Sequence, residues 1–249
     1  MIELAKQCAL EAGAFLKESL GMVLQIDRQS EAMIISRIKS VHPDHDFLAE
    51  ESGGADVSSR YRWIIDPLDG TVNYTHGVKT FCVSIGLEVN GEVVLGVIYD
   101  PNLDELYTAE KGKGAFLNGN PIHVSSASRL IDSLLVTGFP YNIKENPYNV
   151  REHFNNFLFE AQGIRRIGSA ALDLCYVAAG RFDGYWEVTL SPWDLAAGYL
   201  IVHEAGGVVT DFTGAPTTIY RPNVLASNGK IHALMVDVLG RVRKEDRKT

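Results

Sequence analysis

Between Trp63 and Leu117 the chain carries β-rich apolar runs, Trp63 to Ile65, Phe81 to Leu87, Val93 to Tyr99, Leu106 to Ala109 and Ala115 to Leu117. On both sides of this block the apolar period lengthens to that of a helix. Asn90-Gly91 and Asn118-Gly119 are tight-turn dipeptides, so the block reads as an antiparallel sheet. Before it, Ile2, Ala5, Ala9, Ala12, Phe15 and Leu16 fall at helical spacing up to Gly21, and Ser30 to Ser40 repeats the pattern ahead of His42-Pro43. After it, strands at Leu134 to Thr137, Arg165 to Ile167 and Gly184 to Glu187 alternate with helices at Val150 to Ala161, Ala170 to Ala179 and Pro192 to Glu204. The last helix has Ser191 as its N-cap, Pro192 at its first position and Gly206-Gly207 after its end. The fold class is α+β. No repeat or low-complexity linker divides residues 1–249, which read as one unit with an internal seam near residues 125–132.

The composition narrows the function. With 31 Asp+Glu against 23 Lys+Arg the net charge is -8, which argues against nucleic acid as the main partner, because phosphate-backbone affinity comes from clustered cations. The basic tail of Arg241, Arg243, Lys244, Arg247 and Lys248 is diluted by Glu245 and Asp246 and reads as a solvated helix end. Cys8, Cys82 and Cys175 are odd in number and far apart, so they read as buried thiols of a reducing cytoplasm rather than a disulfide framework. The start lacks the pattern of a signal peptide, and no stretch is long and apolar enough to cross a bilayer.

The chemistry concentrates in Trp63-Ile64-Ile65-Asp66-Pro67-Leu68-Asp69-Gly70-Thr71. An apolar strand delivers Asp66, Pro67 fixes a turn, Asp69 follows three residues later, and Gly70 lets the backbone approach a ligand. Hard divalent cations prefer oxygen donors, and Asp66, Asp69 and the Leu68 carbonyl suit one or two of them. Asp-Pro and Asp-Gly are also ordinary turn formers, so these residues alone leave a plain turn open. Glu50-Glu51 after Phe47-Leu48-Ala49, and Asp194 in the first turn of the Pro192 helix, add carboxylates that read equally as a solvated pair and a dipole-stabilised acid. His42 and His45 flank a Pro-Asp turn and read as surface residues. Glycine-rich nucleotide loops, a nucleophile elbow and a zinc-protease helix are missing from the sequence. Asp44-His45-Asp46 lacks the preceding apolar strand that an aspartyl-phosphate mechanism needs.

Taken together, Ala49-Glu50-Glu51-Ser52, Trp63 to Thr71 with Asn73-Tyr74, Gly168-Ser169-Ala170-Ala171, and Pro192-Trp193-Asp194 running to Glu204-Ala205-Gly206-Gly207 resemble the inositol monophosphatase family, over essentially the whole chain. The resemblance implies a layered αβαβα sandwich of the inositol monophosphatase/fructose bisphosphatase type. It implies a Mg²⁺-dependent phosphomonoesterase with two or three ions, acting on a small phosphorylated polyol or sugar, and a cytoplasmic homodimer. Glu50, Asp66, the Leu68 carbonyl, Asp69 and Asp194 match the family's metal ligands. Thr71 and Asp27 match the pair that activates the attacking water, with Glu50 beside them, and attack is direct, without a phosphoenzyme. Asp69, Gly70 and Thr71 match the positions around the phosphate, and Gly168, Ser169, Ala170, Glu187 and Asp194 those around the substrate hydroxyls.

The implied substrate is myo-inositol monophosphate, and Glu187 favours such a polyol because a carboxylate accepts from several hydroxyls. Fructose 1,6-bisphosphate and NADP are the rival substrates, with Thr137 to Pro147 and the segment around Arg165 as the places for a second phosphate. An RNA-associated regulatory role is the rival of another class. The resemblance departs at Gly21 to Ile26. Family members usually carry a longer segment there, with a mobile hairpin and a Lys near the active site. Either that lid is missing or part of the chain is not included in this sequence, and the weaker third metal site depends on it.

Overall fold

Two sheets with apolar residues on both faces need helices on both sides, and the computed structural model of the chain meets that need with five layers. It describes residues 1–20, 25–54 and 59–241. The first sheet comprises β1 (Asp46–Ala49), β2 (Gly53–Gly54), β3 (Tyr61–Asp69), β4 (Cys82–Val89), β5 (Glu92–Asp100), β6 (Glu105–Glu110), β7 (Ala115–Leu117) and β8 (Asn120–Pro121), in the order β2-β1-β3-β4-β5-β6-β7-β8. The second comprises β9 (Leu134–Thr137), β10 (Gly163–Arg165), β11 (Gly184–Glu187), β12 (Val208–Thr210) and β13 (Val224–Ser227), in the order β10-β9-β11-β13-β12. The helices are α1 (Ile2–Glu18), α2 (Ile26–Val41), the single turn α3 (Thr71–Thr75), α4 (Val150–Leu158), α5 (Ala170–Ala178), α6 (Pro192–Glu204) and α7 (His232–Gly240).

Alternation along β3 shows how the layers are bound together. Trp63 and Ile65 face α1 and α2, in a core with Ala5, Ala9, Leu16, Ile34 and Ile38, while Ile64 faces the opposite core of α5 and α6. That central core also takes Val136, Tyr185 and Ala226 from the second sheet. On its far face Leu135, Trp186 and Leu225 pack with Phe157 of α4 and Met235 and Val238 of α7. The layers therefore run α1/α2, first sheet, α5/α6, second sheet, α4/α7, as the αβαβα expectation has it.

Two local departures concern the site. The first sheet is not wholly antiparallel, because β1 runs parallel to β3 with Ala49 opposite Ile65, which brings Glu50 to the same end as Asp66. Asp66 to Asp69 does not leave the sheet as a turn. β3 continues to Asp69, with its register to β4 broken between Asp66 and Asp69. Pro67 sits in that bulge, where no ladder N–H is asked of it. Elsewhere boundaries slip, the Arg165 strand beginning at Gly163 and the Val150 helix ending at Leu158, and β12, β13 and α7 are elements that the sequence reading did not mark. Residues 21–24 of the short segment and 242–249 of the basic tail lie outside the described residues, while Arg241 pairs with Glu160 and with Asp237 at 2.9 Å.

The position of α6 depends on missing side chains. Gly86 and Gly96 are cross-strand partners, and a Cβ on Gly96 would stand 2.7 Å from the Ala197 carbonyl oxygen, one on Gly86 2.8 Å from Ala196 Cβ. The helix thus lies against bare backbone. Gly96→Ala meets main-chain atoms, so it should destabilise by about 1–3 kcal/mol as overpacking does, whereas Gly240→Ala in α7, with nothing within 4 Å, should be neutral or stabilise by about 0.5–1 kcal/mol. Urea denaturation of both variants decides, and equal stabilities would refute the close-approach argument.

Candidate active site

A cavity of ≈ 570 Å³ opens where the ends of β1, β3 and β11 meet the N-termini of α5 and α6. Asp66, Asp69 and Asp194 each present a ligand atom within 4.8 Å of the others. Each is also fixed by a donor at one oxygen. Asp66 Oδ1 accepts the Leu68 amide at 3.0 Å, inside the bulge. Asp194 Oδ2 accepts the Ser191 amide at 2.7 Å, at the start of α6. Asp69 Oδ2 accepts the Ser169 hydroxyl at 2.6 Å and the Ala171 amide at 2.8 Å, with the Cys82 thiol 3.8 Å away. Ser169 caps α5 with the same hydroxyl, which accepts from Leu172 N–H and so gives its one proton to Asp69.

Helix α2 braces the other side. Ser30 Oγ donates to the Pro67 carbonyl at 3.0 Å, and Glu31 Oε2 accepts the Glu51 amide at 2.8 Å, just past Glu50. Gly70 has φ 93, and a Cβ there would lie 2.8 Å from the Thr80 carbonyl oxygen, so only glycine lets the chain pass from Asp69 into α3. Thr71 Oγ1 donates to the Leu68 carbonyl at 3.1 Å.

These carboxyls are held together against their own repulsion. Glu50 keeps solvent access, but desolvation by the pocket wall pushes it up to about 7, and the neighbouring Glu51, Asp69 and Asp27 add to the rise. Burial and then Asp69 push Asp194 up to about 8. Asp66 stands well above the usual carboxylate range, from burial and from the charges of Glu50, Asp69 and Asp194. Asp69 is raised by burial although Ser169 and the α5 amides oppose it. A set of oxygen donors with that excess of negative charge fits one or more hard divalent cations, which would compensate the repulsion.

Of the residues assigned from sequence, Glu50, Asp66, Leu68, Asp69, Gly70, Thr71, Gly168, Ser169, Ala170, Glu187 and Asp194 all line this one cavity. Asp27 lies in the first turn of α2 with its Oδ1 on the Arg28 amide, and it makes no hydrogen bond to Thr71. Glu187 is raised by burial to about 7 and accepts the Tyr185 hydroxyl at 2.8 Å. His45, read from sequence as a surface residue, is half-buried, stacked between His42 and Tyr61, and accepts the Trp63 indole N–H at 3.0 Å. The three cysteines are free and buried.

Sequence reasoning gave no role to three residues, Gly138 and Arg166 of the pocket lining and Asn73 beside it. Gly138 leaves the space that Glu187 fills, since a Cβ there would lie 2.0 Å from Glu187 Oε1. Asn73 Nδ2 donates to the Thr80 and Ile167 carbonyls at 2.8 and 2.7 Å, tying α3 to the loop that carries Gly168. Arg166 lines the cavity beside Gly168. Asn73 stood in the recognised motif and Arg166 beside the suspected Arg165, but only the tertiary structure brings Gly138 to Glu187.

A family model described as "Inositol monophosphatase family" matches residues 3–243. The chain belongs to the inositol monophosphatase family. It is 41% identical to an inositol-1-monophosphatase of Mesorhizobium japonicum, with 95% of this chain and 94% of that protein covered. It is 43% identical to the Nus factor SuhB of Pseudomonas aeruginosa, over 86% and 81% of the two chains. The solved structure of inositol monophosphatase from Anabaena (Nostoc) sp. superposes with a TM-score of 0.92 at 46% identity, over 99% and 98%. Family membership makes the chain a phosphoric monoester hydrolase of α+β fold. Among the described residues no helix is long and apolar enough to cross a membrane.

The raised carboxyls fix the sign of the pH dependence. A carboxyl whose folded pKa exceeds its unfolded value binds extra protons when folded, so its stabilisation is complete below the unfolded value and is lost as pH rises through the folded one. For Glu50 and Asp194 the window runs from ordinary values of 4.5 and 3.8 to about 7 and 8. The melting temperature in EDTA should therefore fall from about pH 5 to about pH 8, and Mg²⁺ should restore it at the alkaline end by mass action. A flat EDTA profile would contradict the assignment. Ser169→Ala, which removes the 2.6 Å donor to Asp69, should raise the Mg²⁺ concentration needed for half-maximal activity by about 10- to 100-fold while the protein stays folded.

Proposed function

We propose that this pocket hydrolyses the phosphate monoester of a small polyol, with myo-inositol monophosphate as substrate, in the presence of two or three Mg²⁺ ions. The carrying observation is the convergence of Asp66, Asp69 and Asp194 within 4.8 Å, with Glu187 across the same cavity. Phosphate monoesters are among the slowest substrates to hydrolyse without help, and an acidic cavity alone would repel them. Bound Mg²⁺ would supply the positive charge that the ester needs there and acidify the attacking water. Glu50, Asp66, the Leu68 carbonyl, Asp69 and Asp194 would hold it.

The rest falls to the chain's own groups. Gly70 and Thr71 line the phosphate end of the cavity, and the Thr71 hydroxyl, oriented by the Leu68 carbonyl, positions the water. Glu50 is raised to about 7, which suits a group that takes a proton near neutrality. Asp27 is assigned to the same proton path through Thr71. Gly168, Ser169, Ala170 and Glu187 face the alcohol, where Glu187 accepts from its hydroxyls. Cytoplasmic residence, a homodimer and a seam near residues 125–132 complete the proposal.

A second reading has one specific support, the likeness to proteins named Nus factor SuhB. On that reading the same fold works by binding, as an RNA-associated regulatory protein, and turnover is secondary. Phosphate release from inositol 1-phosphate, fructose 1,6-bisphosphate and NADP, each with Mg²⁺ and with EDTA, separates the readings. Inositol 1-phosphate should be hydrolysed fastest and only with metal. Asp69→Asn should lower kcat by at least about 10³-fold, the loss of several kcal/mol of charge stabilisation. Near-normal turnover in that folded variant would sink the assignment.

A further inference from the structure

Of the eight described non-glycine residues with positive φ, five are Asn or Asp, which tolerate that region, and the others are Gln25, Tyr148 and Thr189. Thr189, at φ 60, is the one β-branched residue among them and the one that lines the cavity. A branched Cβ crowds the backbone there, so a threonine keeps this conformation only where its flanks impose it. On one side Val188 is buried and Glu187 pairs with Val224 in the second sheet. On the other the Leu190 amide donates to the Pro222 carbonyl at 2.9 Å and the Ser191 amide to Asp194 at 2.7 Å. The cavity wall has two further positive-φ positions, Gly70 and Gly168, and both are glycine for lack of room. A Cβ would stand 2.8 Å from the Thr80 carbonyl oxygen at the first and 2.7 Å from Arg166 Nη1 at the second. Thr189 is exposed instead, and carries a side chain where glycine would be unstrained. Among the described residues that side chain bonds only the adjoining Val188 carbonyl, at 2.6 Å, so the fold gains little from it. Its one proton is committed there, and what it adds to the wall is bulk.

We propose that Thr189 is a specificity-determining residue, whose branched side chain narrows the cavity near Glu187 so that a compact polyol is accepted and a bulkier alcohol, such as a nucleoside, is disfavoured. This rests on the phosphatase reading above and deepens it. Thr189 follows Glu187 by two residues, and both line the cavity. A backbone held in a costly conformation at a cavity wall, where the side chain serves no contact of the fold, is the exchange of stability for fit that functional sites show. The carboxyls that would hold metal do not depend on it, because Asp66 is fixed by its bulge, Asp69 by Ser169 and Asp194 by the Ser191 amide. Bulk at Thr189 therefore acts on the choice of alcohol and not on the metal centre.

The test compares inositol 1-phosphate with adenosine 2′-monophosphate, both with Mg²⁺, in the native protein, Thr189→Gly and Thr189→Val. Thr189→Gly takes up the same φ without strain and should raise the melting temperature by about 2–4 °C. The same variant should move the ratio of the two kcat/KM values about tenfold or more toward the nucleotide, as the removal of methyl-sized groups from a pocket wall does. Its kcat for inositol 1-phosphate should stay within about twofold of native, because the donors on the metal-facing acids are untouched. Thr189→Val keeps the branch, so it should hold the ratio within about twofold and show no rise in melting temperature. An unchanged ratio in folded Thr189→Gly would mean that the side chain does not meet the alcohol. An equal shift in Thr189→Val would assign the effect to the hydroxyl rather than to bulk, and no gain in melting temperature for Thr189→Gly would remove the strain argument. Each of these results overturns the proposal and leaves the phosphatase reading standing. Release of phosphate from neither substrate by the folded native protein would remove both.

Discussion

The seating of α6 on the Gly86–Gly96 pair is the contact on which the site depends. Helices usually rest on a sheet through layers of side chains, but here a cross-strand pair of glycines lets main chain meet main chain at Ala196 and Ala197. The opposite face of α6 is equally close, because a Cβ on Gly198 would lie 2.6 Å from Leu174 Cδ1 of α5. With both faces so near, the helix has little freedom to slide or tilt. Its first turn, with Trp193 receiving a hydrogen bond from Ser84 of β4, therefore arrives beside Asp66, which pairs with Ser84 across the strands. Asp194 is placed by backbone packing less than one turn further along the helix.

A cluster of carboxyls raises the energy of the fold that holds it, and the structure offsets this with donors of fixed position. Asp66 is served by its own bulge, Asp194 by the N-cap amide of α6, and Asp69 by the Ser169 hydroxyl and the first amides of α5. Each donor is seen on one oxygen only, and one oxygen of each carboxylate lies within 4.8 Å of the others. Two helix N-termini thus contribute partial positive charge on the side where the sheet contributes acids. Burial still keeps the pKa values high, so the compensation is incomplete, and a divalent cation would complete it.

Much of this was legible in the sequence, for identifiable reasons. Strands β4 to β7 announce themselves because their runs are long or bounded by Asn-Gly, and Asn90 and Asn118 adopt the positive φ that such turns require. Helix α6 was readable end to end because its cap, first-position proline and terminal glycines are all local signals. The path of Asp66 to Asp69 was not, since Pro and Gly in a row suit both a turn and a bulge, and only pairing with β4 decides between them. Strands β12 and β13 escaped because they are short and β13 is buried on both sides, and helix α7 because Leu234 and Val236 lie outside its buried row of His232, Met235, Val238 and Leu239 and blur the period that would mark it. The metal-facing acids carried a motif, whereas Gly138 matters through a side chain it lacks.

The site is divided between the layers in a way that separates chemistry from choice of substrate. The acids that would hold the metals come from the first sheet and from α6, both locked by the glycine contact and by α2 through Ser30 and Glu31. Glu187, Gly138 and Arg166 come from the second sheet and its loops, joined to the first half at the pocket by Asn73 and Ser169. A substitution in the second set can alter the shape and charge that meet the alcohol without disturbing the donors fixed on Asp66, Asp69 and Asp194. One acidic centre can then serve different phosphorylated alcohols, which is how a single fold would support more than one substrate across a family.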